Sequence, residues 1–382
     1  MNEVVIAGYA RSPFTPANRG SLAAVRPDDL AAQVVRALIE RTGLAAEDLE
    51  DLVVGCAFPE GEQGLNVARL IGFLADLPLS VGGATVNRFC GSSMQAIHNA
   101  AGAIAMGAGD AYVCAGVESM TRVPMPGFNP LPNPDLMNAR PEAYIGMGDT
   151  AENLAQRYDI SRESQEAFAL ESHRRAAAAQ ASGGFSEELV PIMGTRGEAG
   201  FTVDADEVIR PDASAERLAA LKPAFSAAGT VTAGTSSPLT DGASAVLVCS
   251  ADYAERKGIR ALATIRSFAI SGCAPEIMGI GPVQASEKAL ARAGVSVDDV
   301  EVVELNEAFA SQSLACMQDL SLTHERTNLH GGAIALGHPL GATGARITGK
   351  AAALLASQGA RYALATQCIG GGQGIATVLE AR

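Results

Sequence analysis

RTGLAAEDLEDLVVG, residues 41–55, and RAGVSVDDVEVVELN, residues 292–306, share one pattern: a helix end, a glycine, an acidic turn and then an apolar run. Gly43 pairs with Gly294 and Asp48 with Asp299, both at an offset of 251 positions. The same offset carries Ser92, opening SSMQAIHNAAGAIAMG, onto Thr343, opening TGARITGKAAALLASQG; the runs AYVCAGV and RYALATQ follow as strands. Agreement at several points along half the chain predicts a duplicated unit. Each half alternates helical periods with short apolar runs, as in DDLAAQVVRALIERTG before DLEDLVVGCAF, which marks α/β units with a largely buried sheet. Two similar α/β halves packed together are the economical fold.

Between the halves the composition changes. TRVPMPGFNPLPNPDLMNARPE is dense in Pro and Asn, which forbid long regular elements, and the strongly helical ISRESQEAFALESHRRAAAAQASGG follows. This predicts an inserted loop domain over 121–239 that covers a site, a plain surface excursion being the alternative. The first half is then 1–120 plus 240–260, and the second is 261–382.

A chain of 382 residues has the length of about two to three domains and can bury a site deeply. With 48% hydrophobic residues, 41 glycines, 4% aromatics and no Trp, it should build a mostly aliphatic core with many tight turns. A net charge of −14 argues against nucleic acid as a partner. The start MNEVVIAGYARSPF has too short an apolar stretch for a signal peptide, and no later run approaches the ~18–20 apolar residues of a membrane span. The expectation is a soluble cytoplasmic protein. Seven scattered cysteines, without CxxC spacing and without a histidine cluster, point away from a disulfide framework and from a metal site.

Four segments could carry chemistry. Cys90 lies between the strand-like ATVNRF and a helix starting at Ser92, where unsatisfied N–H groups and the helix dipole favour a thiolate. Such a position serves either a nucleophile or a buried structural thiol. His338, held among glycines in GGAIALGHPLGATGAR, is placed as a base or as a histidine satisfied by backbone hydrogen bonds. Cys368 ends a strand before the glycine run of CIGGGQG, which either lets backbone amides approach a reacting oxygen or forms a plain turn. Asn306 stands where the apolar run VEVVEL stops, as a turn former or as an amide holding water or substrate.

Together VNRFCGSSMQA, ELNEAFASQ, GGAIALGHPLGATGAR and CIGGGQG resemble, in order and spacing, the signature blocks of the thiolase family. GVESMTRVPM, GDTAENLAQRYDISRESQEAFA, DADEVIRP, LKPAF, GTVTAGTSSPLTDGASAVLV and IMGIGPV are similar to thiolase segments too, so the resemblance covers essentially the whole chain. It implies an α/β thiolase fold of two duplicated βαβαβαββ halves in a five-layered α-β-α-β-α sandwich with an inserted loop domain. It also implies cleavage or formation of 3-oxoacyl-coenzyme A (CoA) through an acyl-Cys90 intermediate, with no permanently bound cofactor and with CoA and acyl-CoA as substrates.

Carried over by the resemblance, Cys90 is the nucleophile, His338 a base, Cys368 a second acid and base, and Asn306 a water-holding amide. His338 and that water would face the thioester oxygen. The backbone amides of Cys90 and Gly370 would face the oxygen derived from the ketone. Arg210 is expected near the nucleotide phosphates or adenine, Phe225 against the adenine, and Ser237 on the pantetheine, while Met147, Met278 and Phe309 line the apolar channel. A homodimer or homotetramer, and a multifunctional β-oxidation subunit as partner, are further implications.

The chain departs from the family pattern in places. Gly146 stands before Met147 where short-chain biosynthetic thiolases commonly carry His, and with the CGSSMQA block and the GIGPV segment this looks closer to degradative 3-ketoacyl-CoA thiolases. His330, Pro238 and Lys222 also replace more usual residues. The other readings are a short-chain acetoacetyl-CoA thiolase, a decarboxylating condensing enzyme of the same superfamily, and a silent acyl-CoA or lipid carrier on the same fold. Two catalytic cysteines and the NEAF block speak for thiolase.

Overall fold

The computed structural model describes residues 2–197 and 199–382. The first half runs β1 (Val4–Arg11), α1 (Pro27–Thr42), β3 (Asp51–Gly55), α2 (Val67–Leu74), β4 (Ala84–Val86), α3 (Ser92–Ala105) and β5 (Ala111–Ser119), with a two-residue β2 (Thr15–Pro16) beside it. Next come α4 (Pro134–Ala139), α5 (Met147–Arg157), α6 (Arg162–Ala181), the hairpin β6 (Ile192–Arg196) and β7 (Ala199–Val203), and α7 (Ala215–Ala219). β8 (Thr240–Ser250) returns to the first half and α8 (Ala251–Lys257) leads out of it. The second half is β9 (Ala263–Gly272), α9 (Gly281–Ala293), β10 (Val302–Leu305), α10 (Ala310–Asp319), α11 (Ala333–Leu336), α12 (Leu340–Gln358), β11 (Tyr362–Ile369) and β12 (Gln373–Ala381).

The strands are ordered β4-β3-β5-β8-β1 in the first half and β10-β11-β12-β9 in the second. Thr327 forms a single parallel bridge to Val303 of β10, so it takes the place that β4 holds beside β3. Both halves therefore follow βαβαβαββ, with one strand of the second reduced to a bridge. The repeat extends to capping: Gly43 ends α1 at φ 67° and Gly294 ends α9 at φ 68°, the left-handed turn that glycine adopts at no steric cost. One expectation is corrected here. Thr343 does not open its helix; α12 starts earlier, at Leu340, because Pro339 provides the extended N-cap.

Side chains alternate across each strand, and both faces are apolar. On β5, Ala111, Val113, Ala115 and Val117 face α1 and α2, while Tyr112 and Cys114 face α3 and α12. On β12, Ile375 and Leu379 join that middle core, and Ala376 and Val378 face α9 and α10. α3 and α12 thus lie between the sheets, with α1 and α2 outside one and α9 and α10 outside the other, giving the five layers. The sheets are also stitched at one edge, where Val5 pairs with Thr264 and Ile6 with Ala263. The central helices can touch because of small residues: a Cβ on Gly344 of α12 would stand 2.3 Å from the Met94 nitrogen on α3.

Buried charges tie the segment after β5 to both halves. The Arg11 guanidinium donates to both oxygens of Asp206, at 2.7 and 2.9 Å, and to Glu188 at 2.7 Å. Glu188 also accepts from Lys350 of α12 at 2.8 Å, and Arg346 one turn away donates to Glu304 of β10 at 3.0 Å. Among the described residues no helix is long and apolar enough to cross a membrane.

Candidate active site

β4 stops at Val86, and Asn87 to Gly91 form a tight turn into α3. Phe89 has a φ of +42°, a left-handed conformation that a bulky residue keeps only when its surroundings enforce it. Two neighbours do so. Asn87 Oδ1 accepts the Phe89 N–H at 2.9 Å, while the Ser92 hydroxyl accepts the Arg88 N–H at 2.9 Å and donates to the Phe89 carbonyl at 2.6 Å. Cys90 is thereby held at the start of the helix. The N–H groups of Gly370 and of Cys90 itself lie near its sulfur and favour its anion.

The second half closes on this turn. The Gln367 side chain donates to the Cys90 carbonyl, and Arg88 reaches Gln373 at 2.6 Å. CIGGGQG is the hairpin between β11 and β12, with Gly371 and Gly372 at φ 80° and 81°. A Cβ on Gly372 would lie 2.3 Å from the Cys273 carbonyl, so any side chain there would push the hairpin off the nucleophile turn. Just before it, Cys368 is buried with Ala151, Val231, Met278, Ala308 and Phe309, and Met147 packs against the same cluster.

His338 is buried immediately before Pro339. Its Nε2 is 3.4 Å from Asn306 Nδ2, its Nδ1 is 2.6 Å from Thr343 Oγ1, and its backbone N–H donates to Thr240 at 3.1 Å. Asn306 follows the last residue of β10, and its Oδ1 is buried with no protein partner among the described residues, which leaves an acceptor for water or substrate. Leu340, two positions after His338, packs in one cluster with Cys90. The fold therefore gathers Cys90, His338, Asn306, Cys368 and Gly370 from four separate connections.

Electrostatically the site differs from the helix-start argument. Burial pushes the Cys90 thiol up to about 11, outweighing the two N–H groups that favour its anion, and the nearby Glu118 adds to the rise. Burial, with the Arg346 charge nearby, lowers His338 to about 3. Cys368 is raised well above the ordinary thiol value by burial and by neighbouring Cys90 and Cys316. Desolvation thus disfavours the Cys90 anion more than the two N–H groups help it, which leaves a proton for His338 to take.

This has a measurable outcome. Iodoacetamide attacks the thiolate, whose fraction grows about tenfold per pH unit below the pKa. Alkylation of Cys90, the partly exposed thiol at the site, should accelerate continuously from about pH 7 to pH 10 and be blocked by prior acylation. Rates that level off below pH 8, or inactivation tracking modification of half-buried Cys273, would contradict the assignment.

Arg210, His173, Ser214, Arg217, Ser236 and Pro238 line a cleft of about 290 Å³. Ser237 donates its N–H to the Ala308 carbonyl at 3.0 Å, so the segment beside this cleft runs along the residues leading to Phe309. Phe225 lies elsewhere. It packs over Gly148 and stands edge-on to Phe309 at 5.9 Å, on the Cys368 side, and does not line the Arg210 cleft. Met147, Met278 and Phe309 do come together.

Three supporting residues escape the sequence reading: Gln367, Glu118 and Thr343. Glu118 is buried and accepts N–H groups from Ala57 at 2.8 Å and Gly341 at 2.9 Å, bracing the first half against the start of α12. Gln367 is the one amide in the buried strand LATQCI and Glu118 the one charged residue in CAGVES, a signal that could have found them.

The chain matches the family descriptions "Thiolase, N-terminal domain" over residues 4–252 and "Thiolase, C-terminal domain" over 259–381. It belongs to the thiolase family. Among individual relatives, it is 47% identical over 389 residues to a protein named 3-ketoacyl-CoA thiolase from Bacillus subtilis, covering 100% of both chains. A 3-ketoacyl-CoA thiolase from Acinetobacter baylyi is 50% identical over 383 residues, with 99% of this chain and 98% of that one covered. Among solved structures, the acetyl-CoA acetyltransferase of Bacillus anthracis superposes with a TM-score of 0.93 at 37% identity, and human mitochondrial 3-ketoacyl-CoA thiolase with 0.91 at 36%, each over 100% of this chain and 99% of the other.

Proposed function

We propose that the chain is an acyltransferase that cleaves 3-oxoacyl-CoA with CoA to give acetyl-CoA and a shortened acyl-CoA, in the service of fatty-acid β-oxidation. The observation that carries this reading is the convergence of Cys90 from the first half with Cys368 and His338 from the second: the Gln367 side chain beside Cys368 reaches the Cys90 carbonyl, and Leu340, just after His338, packs with Cys90. The 3-ketoacyl-CoA thiolase relatives support it.

Each step assigns a proton and an electron pair. His338 Nε2 takes the Cys90 proton as the sulfur attacks the ketone carbon of the bound substrate. The amides of Cys90 and Gly370, already turned to the sulfur, receive the oxygen that becomes anionic. Collapse re-forms the carbonyl as a Cys90 thioester and breaks the carbon–carbon bond, whose electron pair leaves on the acetyl-CoA enolate. The imidazolium of His338 and a water held by Asn306 stabilise that enolate's oxygen, and Cys368 protonates its carbon. The Cys368 thiolate then deprotonates incoming CoA. The CoA sulfur attacks the acyl-Cys90 carbonyl, and the departing Cys90 sulfur recovers the proton held on His338.

The 121–239 segment covers the coenzyme in this reading: much of the lining of the Arg210 cleft belongs to it, and Arg210 supplies a charge-assisted donor for phosphate. A second copy of the chain is expected at the free edge of β4, flanked by Leu65 and Leu79, which are 88% and 79% exposed. The setting is cytoplasmic.

Chain length follows from Gly146. It is exposed at the N-cap of α5, beside Met147 of the Cys368 pocket, and a Cβ there would meet only the Asp149 carboxylate. Glycine thus adds no side chain beside Met147. Each further buried methylene contributes ~0.8 kcal/mol, about fourfold in kcat/KM when fully expressed. Thiolysis rates across substrates of four to sixteen carbons should show 3-oxo-octanoyl-CoA or longer equal to or better than acetoacetyl-CoA, with Gly146→His shifting preference to four carbons. Acetoacetyl-CoA turning over at least tenfold better than every longer substrate would place the chain with the short-chain enzymes, and no thiolysis of any substrate would leave a silent carrier.

A further inference from the structure

The neutral imidazole of His338 can carry its proton on either ring nitrogen, and only one arrangement makes a base of the nitrogen beside Asn306. Two contacts decide it. Thr343 sits one turn into α12, fully buried, and its hydroxyl donates to the Pro339 carbonyl at 3.1 Å. With that hydrogen turned to Pro339, the oxygen accepts toward His338 Nδ1, 2.6 Å away. On the other side, the Asn306 amide nitrogen is a pure donor facing Nε2 at 3.4 Å, which requires a lone pair there. Both contacts are met together when the proton is on Nδ1.

We propose that Thr343 is a positioning residue that fixes His338 in the tautomer whose Nε2 lone pair faces the reacting centre, doing with a neutral hydroxyl what a carboxylate does in a Ser-His-Asp triad. A neutral partner suits this base. A carboxylate would hold the imidazolium after the proton has moved, whereas the Thr343 oxygen orients the ring without an added charge, and the proton can return to the departing sulfur.

The duplication supplies a parallel. Thr343 and Ser92 occupy equivalent positions of the two halves, and each turns its hydroxyl back to a preceding carbonyl, Ser92 to Phe89 beside Cys90 and Thr343 to Pro339 beside His338. A first-turn hydroxyl thus braces each member of the nucleophile–base pair.

The proposal rests on His338 as the base, and the two can be tested apart. In the resting enzyme labelled with 15N-histidine, with His338→Ala identifying the signal, long-range proton–nitrogen spectra at neutral pH should show the His338 proton on Nδ1; a proton on Nε2 overturns the proposal whatever the activity. Thr343→Val keeps the side-chain shape but removes the acceptor. It should move the proton to Nε2 and lower kcat on the order of 10²-fold, the scale of general-base catalysis, with KM within about threefold. Thr343→Ser should recover kcat to within about fivefold of the wild type. Equal impairment of the Val and Ser variants would mean that Thr343 acts by packing, and near-normal kcat in the Val variant would mean that the tautomer needs no such support; either overturns it. Should Thr343→Val fail to fold, Thr343→Ala gives the same comparison. Near-normal turnover by His338→Ala would instead overturn the base assignment.

Discussion

Cys90→Ala should lower thiolysis on the order of 10⁵- to 10⁶-fold, the loss seen when a covalent nucleophile is removed while the binding groups remain. The acyl group has no other station: the amides of Gly370 and Cys90 converge on that one sulfur, and Cys368 lies fully buried in its apolar cluster. The fold should tolerate the change, because the turn is held by Asn87, Ser92 and the Cys90 backbone carbonyl rather than by the thiol. Intact-mass spectra should show one acyl group added to the wild-type enzyme by acyl-CoA and none to the variant. A Cys90→Ala enzyme with more than about one per cent of wild-type activity, or an acyl adduct on another residue, would dismiss the covalent reading.

Cys368→Ala should divide the reaction in two. The raised pKa keeps this thiol protonated at neutral pH, which makes it a donor waiting for the enolate carbon. Without it, carbon–carbon cleavage should fall by about 10²- to 10⁴-fold, the range for a lost general acid. Acylation of Cys90 by an aryl thioester, whose leaving thiolate needs no proton, should continue at a rate within about tenfold of wild type. Rapid-quench measurement of the acyl-enzyme beside steady-state thiolysis separates the steps. Near-normal thiolysis by the variant would reduce Cys368 to a packing residue; loss of both steps together would show that it shapes the pocket rather than transfers a proton.

Much of this architecture was legible because it is local. Helix ends at Gly43 and Gly294 and buried strands such as AYVCAGV are written in short periods and turn residues, so the duplication could be read directly. The positions of Cys90, His338 and Cys368 were legible for the same reason, each lying at a junction of elements. Their protonation was not. Whether Cys90 rests as thiol or thiolate depends on a sum of desolvation, two amides and the Glu118 carboxylate, and of these the sequence shows only the helix start. The offset from Ser92 places Thr343 at the opening of a helix, while the structure uses its hydroxyl within the first turn, toward His338. Phe225 illustrates a third limit: a sequence block places a residue in the right region without saying which neighbour its ring will meet.

The ion pairs around Arg11 and Lys350 bear on how this enzyme could be re-engineered. Glu188 and Asp206 belong to the 121–239 segment, yet the cations they neutralise lie in the first half and on the central helix of the second. A buried cation stripped of its partner destabilises a protein by roughly 3–5 kcal/mol, a large share of a typical folding free energy. The 121–239 segment is therefore no interchangeable module. Transplanting it from a relative to alter substrate range would succeed only if the donor brought acids at both positions, and a chain trimmed of it would leave two stranded cations at the centre of the molecule.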